Sequence, residues 1–290
     1  TMKPLFEIIQ EAEKNKTAIG HFNVSDLIAL KAIFEVAKNL QLPIIIGVSE
    51  GEREFIGTKQ IAVLVKSLRE EFNYPIFLNA DHTRSLEKIK EAVEAGFDSV
   101  IFDNANLPLG ENIKKTKEVV EYVKNTNPNI IIEGELGYIG TSSTILKEIP
   151  QGAAIKKEDL TKPEDAARFV KETGIDLFAP AVGNIHGMFK DAPNPDLDIE
   201  RIKEIREAAG VPLVLHGGSG IKDSDFLEAI NAGISIIHIN TELRLAWRKG
   251  MEKALKEKPE EIIPYKLMPE AVMEIKKVVE NRLKLFSKLI

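Results

Sequence analysis

Apolar and polar positions along the chain fall into two alternating patterns. Short runs rich in β-branched residues, such as Ile44-Ile45-Ile46 and Ile130-Ile131-Ile132, are apolar at consecutive positions, as parallel strands covered by helices require. Eight such runs are read, over residues 17–23, 43–49, 75–80, 98–103, 129–135, 176–180, 211–216 and 234–239. Amphipathic stretches of helical length lie between them, over 25–40, 59–72, 85–95, 112–124, 163–173, 198–208 and 224–232. Ala95-Gly96, Thr173-Gly174, Ala209-Gly210 and Ala232-Gly233 each stand just ahead of a strand and supply the left-handed residue that ends a helix. Eight successive βα units predict an α/β fold closed as a (β/α)8 barrel, the TIM barrel, over one domain spanning 1–290. The tail from about 241 reads as two extra C-terminal helices, 241–256 and 269–285, packed on the barrel base or on a partner subunit.

Composition narrows the chemistry. There is no cysteine and there are only five histidines, so any metal rests on His, Asp and Glu, and disulfides and thiolate sites are excluded. A net charge of −6 argues against a general nucleic-acid or anionic-membrane surface, while backbone sites for small phosphates stay open. No apolar run reaches membrane-spanning length, and Thr1-Met2-Lys3-Pro4-Leu5 has no signal-peptide character. A cytoplasmic protein is expected, with Thr1 read as an addition ahead of Met2.

Barrel active sites lie at the C-terminal ends of the strands, and four histidines are predicted there: His82, His186, His216 and His238. By period two, Ile76, Leu78 and Ala80 share a face, as do Val214 with His216, and Ile236 with His238 and Asn240. Three neutral imidazoles with an open position would make a catalytic zinc site; acid–base work or phosphate contact suits any one of them equally. His216-Gly217-Gly218-Ser219-Gly220 gives a strand, a glycine-rich turn and a helix start, the makings of a phosphate cradle, with Asn240-Thr241 after the last strand as its partner. Carboxylates stand at Asp81, at Asp103 and at Glu133 and Glu135 on one face of the fifth strand. Inside a barrel they need a metal or a partner, and an ion pair with a buried lysine or arginine is the alternative for Glu133. The long connection 137–161 is a candidate active-site loop.

In this order, Gly20-His21-Phe22-Asn23, Asp81-His82, Glu133-Gly134-Glu135-Leu136-Gly137, Val182-Gly183-Asn184-Ile185-His186-Gly187, Leu215-His216-Gly217-Gly218-Ser219 and Asn240-Thr241-Glu242-Leu243-Arg244 resemble the class II fructose-bisphosphate and tagatose-bisphosphate aldolases. The resemblance runs nearly end to end. It implies a zinc-dependent lyase of glycolysis and gluconeogenesis that cleaves fructose 1,6-bisphosphate to dihydroxyacetone phosphate and glyceraldehyde 3-phosphate. It implies Zn2+ on His82, His186 and His216, an acid–base role for Asp81 at the C4 hydroxyl, and Asp103 and Glu135 as an alternative or second metal position. Gly187, Gly217, Gly218, Ser219, Asn240 and Thr241 match its triose-phosphate site, often accompanied by Na+ or K+, and Asn23 and Ser49 match positions near the substrate. A homodimer or higher homo-oligomer follows from the same likeness.

Two departures stand out. After Gly137 the family usually places an acidic pair, whereas this chain reads Tyr138-Ile139-Gly140-Thr141-Ser142-Ser143-Thr144, and the next carboxylate is Glu148. Where the family commonly has asparagine two residues before the phosphate-binding pair, this chain has His238, which either shares the proton transfer or hydrogen-bonds the substrate. The rival readings are an aldolase for tagatose 1,6-bisphosphate or another ketose bisphosphate, and a metal- and phosphosugar-binding barrel without turnover. A Schiff-base aldolase needs a lysine inside the barrel, and none stands at a strand end.

Overall fold

In the computed structural model, which describes residues 2–141 and 143–290, eight parallel strands close into a barrel. They are β1 (Ile19–Asn23), β2 (Ile44–Val48), β3 (Ile76–Thr83), β4 (Ser99–Phe102), β5 (Ile131–Leu136), β6 (Leu177–Pro180), β7 (Leu213–Leu215) and β8 (Ile234–Ile239). The order around the barrel is β1-β8-β7-β6-β5-β4-β3-β2. The expected strands and helices are all present, with ends moved by a few residues. Gly96, Gly174, Gly210 and Gly233 end their helices with positive φ, the conformation in which a Cβ is costly.

Each strand is buried on both faces, for different reasons. Outward residues such as Ile44, Ile46, Leu78 and Ile132 pack under the helices in the main core. Inward, Ile19, Ile45, Phe77, Ile131, Leu177, Val214 and Ile236 form an apolar layer. The helix Leu5–Lys14 closes that layer with Leu5, Ile8, Ile9 and Ala12. Its apolar positions recur at helical spacing, yet it precedes the first βα unit and was not among the expected elements. One step along each strand from this floor, period two brings His21, Asn79, Glu133 and His238 to the lumen, and a further step brings Asn23, Asp81 and Glu135 to the mouth.

The C-terminal tail does not cap the base. Helix Pro269–Phe286 lies along the flank, against Thr241–Glu257 and Leu27–Leu40, because its apolar stripe of Ala271, Ile275, Val279 and Leu283 faces inward. The base is already filled by the N-terminal helix. Arg282 pins the tail to Glu242 and Asp223.

Candidate active site

His82 reaches the mouth by leaving the strand pattern. The face it would share with Ile76, Leu78 and Ala80 is the outer one, since Leu78 and Ala80 lie in the core under the helices. The β3–β4 register shifts between Ala80 and Thr83, and His82 takes φ 39°, an unfavourable conformation for a residue with a Cβ that must be held by its surroundings. Buried Arg53 supplies the hold: its guanidinium donates to the carbonyls of Val48 and Asp81 and to Thr83 Oγ1 at 2.6, 3.3 and 3.0 Å. Asp81 and His82, neighbours in sequence, both end at the mouth as a result.

The ring nitrogens of His82, His186 and His216 offer ligand atoms within 4.8 Å of one another, and each ring is oriented by a partner. His186 Nδ1 lies 2.7 Å from the Gly140 carbonyl; a carbonyl only accepts, so Nδ1 donates and Nε2 is left free. His82 Nδ1 lies 3.0 Å from Asp103 Oδ2, and His216 Nε2 lies 2.6 Å from Glu133 Oε1. The remaining nitrogens, His82 Nε2 and His216 Nδ1, are hydrogen-bonded to each other at 3.2 Å. Carboxylates and carbonyls behind the imidazoles are what a metal-ligating histidine set requires. No lysine or arginine pairs with Glu133 among the described residues; its partner is His216.

The charges fit a divalent ion. Burial and repulsion from His82 push His186 down to about 4, and burial, with His238 and His82 nearby, holds His216 well below its usual range. Burial also lowers His82, but Asp81, Asp103 and Glu135 outweigh it and hold His82 well above 6.5. Glu135 is raised by burial and by Asp103 to about 7. Buried Asp81 Oδ1 and Glu135 Oε2 have no hydrogen-bond partner. The carboxylates around His82 thus favour positive charge at this point, which a divalent ion on the three imidazoles would supply. Asp103 and Glu135 form with His82 a second group close enough to hold a metal.

Asp81 is buried beside this group. Asn23 donates to its Oδ2 at 2.8 Å and to Glu52 at 2.9 Å, and His238 Nδ1 lies 3.5 Å from Oδ1. Burial alone would raise Asp81, but His82, His238 and His21 hold it well below its usual range. Above these groups opens a cavity of about 190 Å³ lined by Asn23, Ser49, Asp81, His82, His186 and His238 and by the glycine-rich turn. Gly187, Gly217, Gly218, Ser219, Asn240, Thr241 and Asp103 also border it. Ser219 Oγ accepts from the backbone nitrogens of Asn240 and Glu242 at 3.4 and 3.1 Å, tying the turn after β7 to the helix start after β8. Gly217 has φ 62°, and a Cβ there would lie 2.6 Å from the Ile185 carbonyl carbon, so the turn admits only glycine in this shape. The cradle therefore presents backbone to a ligand rather than side chain.

Of the site residues read from the sequence, all but His216, Glu133 and Glu135 line this cavity, and several residues that hold them were not among those named. His21, on the same face of β1 as Asn23, is stacked on His238; its period-two relation to Asn23 was the available signal. Arg53 and Glu52 gave none, because their roles depend on tertiary placement, and Arg244 stood in the last quoted motif without a role. Glu148 is exposed and does not border the cavity in this conformation of the loop. The connection after β5 does border the cavity through Gly140, Thr141 and Ser143, with Ile145–Leu146 pairing Met188–Phe189 in a short ribbon. Ser142 and Thr1 lie outside the described residues.

Comparison with known proteins gives the same direction. The model of the family described as fructose-bisphosphate aldolase class-II matches residues 3–289. A fructose-bisphosphate aldolase of Geobacillus stearothermophilus is 36% identical over 97% of this chain and 95% of its own. A 6-phospho-5-dehydro-2-deoxy-D-gluconate aldolase of Shouchella clausii is 36% identical over 98% of this chain and 94% of its own. The crystal structure of the YdjI aldolase from Escherichia coli K12 superposes with a TM-score of 0.82 at 31% identity, covering 99% of this chain and 97% of that one.

Proposed function

The chain belongs to the class-II fructose-bisphosphate aldolase family, and from that premise we propose that it cleaves and forms fructose 1,6-bisphosphate by way of dihydroxyacetone phosphate and glyceraldehyde 3-phosphate. The observation that carries the reading is the convergence of three imidazoles, each oriented from behind, beside a cavity lined by His82, His186, Asp81 and the Gly217–Ser219 turn. His82, His186 and His216 would hold Zn2+, with Asp103 and Glu135 as a second position. When bound, the metal supplies Lewis-acid polarisation of the substrate carbonyl.

The remaining chemistry falls to the chain itself. Asp81, ionised and gripped at Oδ2 by Asn23, takes the C4 hydroxyl proton through Oδ1 as the C3–C4 bond breaks and the C4 carbonyl forms. The electron pair stays on the triose fragment, which must then take up a proton at C3. His238 lies beside Asp81 Oδ1 and is our candidate to share that proton transfer in place of the absent acidic pair. The turn after β7 and the helix start after β8 bind the triose phosphate through Gly187, Gly217, Gly218, Ser219, Asn240 and Thr241, with Asn23 and Ser49 nearer the sugar. The reading extends to a monovalent cation, Na+ or K+, beside that phosphate, to a homo-oligomer and to a cytoplasmic setting, all of which rest on family resemblance.

A second reading keeps the mechanism and changes the sugar. It is favoured by the departures at 138–144 and His238, and by a relative of another specificity at equal identity. The test is aldol cleavage by the purified protein of fructose 1,6-bisphosphate, tagatose 1,6-bisphosphate and 6-phospho-5-dehydro-2-deoxy-D-gluconate, before EDTA, after it, and after restoring Zn2+. Activity lost to chelator and regained with metal is the expected result, and the substrate that responds names the sugar. Inactivity of the zinc-loaded protein on all three would overturn the reading.

A further inference from the structure

A continuous belt of polar side chains runs inside the barrel between its apolar floor and its mouth. Ser99 of β4 accepts from Asn79 of β3 at 2.8 Å, which turns the Asn79 carbonyl oxygen towards His21 of β1, 3.0 Å from Nε2. His21 lies face to face with His238 of β8, the ring centroids 3.5 Å apart and the planes within 5°. The other side of His238 meets His216 of β7 at 4.1 Å and 20°, and His216 reaches Glu133 of β5. His238 is therefore clamped between two rings.

The seat of His21 is built for it. His21 and His238 are register partners on adjacent strands. Beneath the His21 ring the neighbouring strand carries Gly47, and a Cβ there would come within 2.5 Å of His21 Nε2. No side chain larger than hydrogen leaves room for the ring. His21 does not border the cavity, whereas His238 does. His21, Asp81 and His238 are close enough to suggest a metal site, but two parallel rings 3.5 Å apart cannot both aim in-plane lone pairs at one ion.

Resting on the functional reading above, we propose that His21 is a positioning residue: it holds the plane of His238 so that His238 Nδ1 stays against Asp81 at the reacting end of the cavity. Without it, one face of His238 opens onto an empty slot over Gly47, and the ring can tilt away from Asp81. Displacement of a proton-transfer group by about 1 Å costs on the order of 10²-fold in rate.

The experiment compares zinc-loaded wild type, His21→Ala, His21→Phe, His238→Ala and the His21→Ala/His238→Ala double variant in steady-state cleavage, with zinc content measured on each. The expected result is a fall in kcat of about 10- to 100-fold for His21→Ala, with KM within about twofold and zinc unchanged. His21→Phe, which returns a flat ring to the slot, recovers kcat to within about fivefold of wild type. The double variant is no slower than His238→Ala alone, because a residue acting only through His238 has nothing left to position. Multiplying losses in the double variant, unchanged kcat in His21→Ala, or loss of zinc in either His21 variant would each overturn the proposal. Should His21→Ala not fold, His21→Phe with a wild-type zinc content and a kcat reduced more than tenfold overturns it as well, since the stack is then insufficient. Zinc-loaded wild type that cleaves no ketose phosphate defeats the functional reading first, and the proposal with it.

Discussion

Glu133 Oε1 lies 2.6 Å from His216 Nε2, and both side chains are buried inside the barrel. The contact decides which nitrogen of His216 faces His82: with Nε2 engaged, Nδ1 is the one turned to the mouth. The carboxylate is raised by burial and by Glu135.

Glu133→Ala is accordingly expected to weaken zinc binding about 10- to 100-fold, the usual loss when the group behind a metal-bound histidine is removed. Glu133→Gln, whose amide oxygen still accepts from Nε2, is expected to lose less. Competition against a chromogenic chelator measures both. Equal affinities in Glu133→Ala and wild type would assign Glu133 to the fold rather than the metal.

Much of this was legible in the sequence because strands and helices differ in period, and the eight βα units show it from end to end. Which face of a strand looks inward was less legible. Parallel strands buried on both sides lose the polar alternation that marks a face, so the pattern does not tell whether the face of Ile76, Leu78, Ala80 and His82 or that of Phe77, Asn79 and Asp81 looks inward. The inward turn of His82 comes from a register shift and a left-handed backbone stabilised by Arg53, which sits in a helix (Glu50–Ile56) that no sequence period announced. The stack of His21 on His238 pairs residues more than two hundred positions apart, and only closure of β1 against β8 makes them neighbours.

Gly217 leaves no room for a side chain. Its φ of 62° opposes any side chain, as does the Ile185 carbonyl carbon, which would stand 2.6 Å from an added methyl group. A non-glycine residue held at such a φ costs about 1–3 kcal/mol. Gly217→Ala is expected to lower the midpoint of thermal unfolding and to raise KM at least tenfold, because the turn that moves is the one proposed to hold the triose phosphate. Unchanged KM with lowered stability would separate the turn from the ligand.

Stability of the metal-stripped protein should depend on pH through its neutral histidines. Burial and repulsion from His21 push His238 to about 3, and burial with His82 pushes His186 to about 4, against about 6.5 in an unfolded chain. Below that pH the unfolded chain takes up protons that the folded one refuses, so stability complete above pH 6.5 is lost as the pH falls towards 3. His82 works in the opposite sense: its contribution is complete below about 6.5 and is lost as the pH rises through its raised value. Comparing wild type with His238→Asn, both carrying His82, isolates one group. The variant is expected to lose less thermal stability between pH 6.5 and pH 4, and parallel curves would contradict the burial of a neutral His238.

Arg84 stands at the far side of the cavity from the glycine-rich turn. It follows β3, across the barrel from the turns after β7 and β8, and its backbone nitrogen is fixed by Glu50 Oε1 at 2.8 Å. Its side chain is exposed and borders both the main cavity and the adjoining one beside Asp103. The other arginine at the cavity, Arg244, is engaged with Glu52 at 2.8 Å and the Ser143 carbonyl at 3.0 Å. Arg84 forms no ion pair among the described residues. A cation so placed suits the distal anionic group of a substrate whose first phosphate occupies the opposite wall, and a charge-assisted hydrogen bond contributes about 1.5–3 kcal/mol. Arg84→Met is therefore expected to lower kcat/KM for a ketose 1,6-bisphosphate about 10- to 100-fold, while a ketose 1-phosphate without the second phosphate changes by less than about threefold. A loss of equal size on both substrates would show that Arg84 supports the bulge carrying His82 instead of reading the substrate.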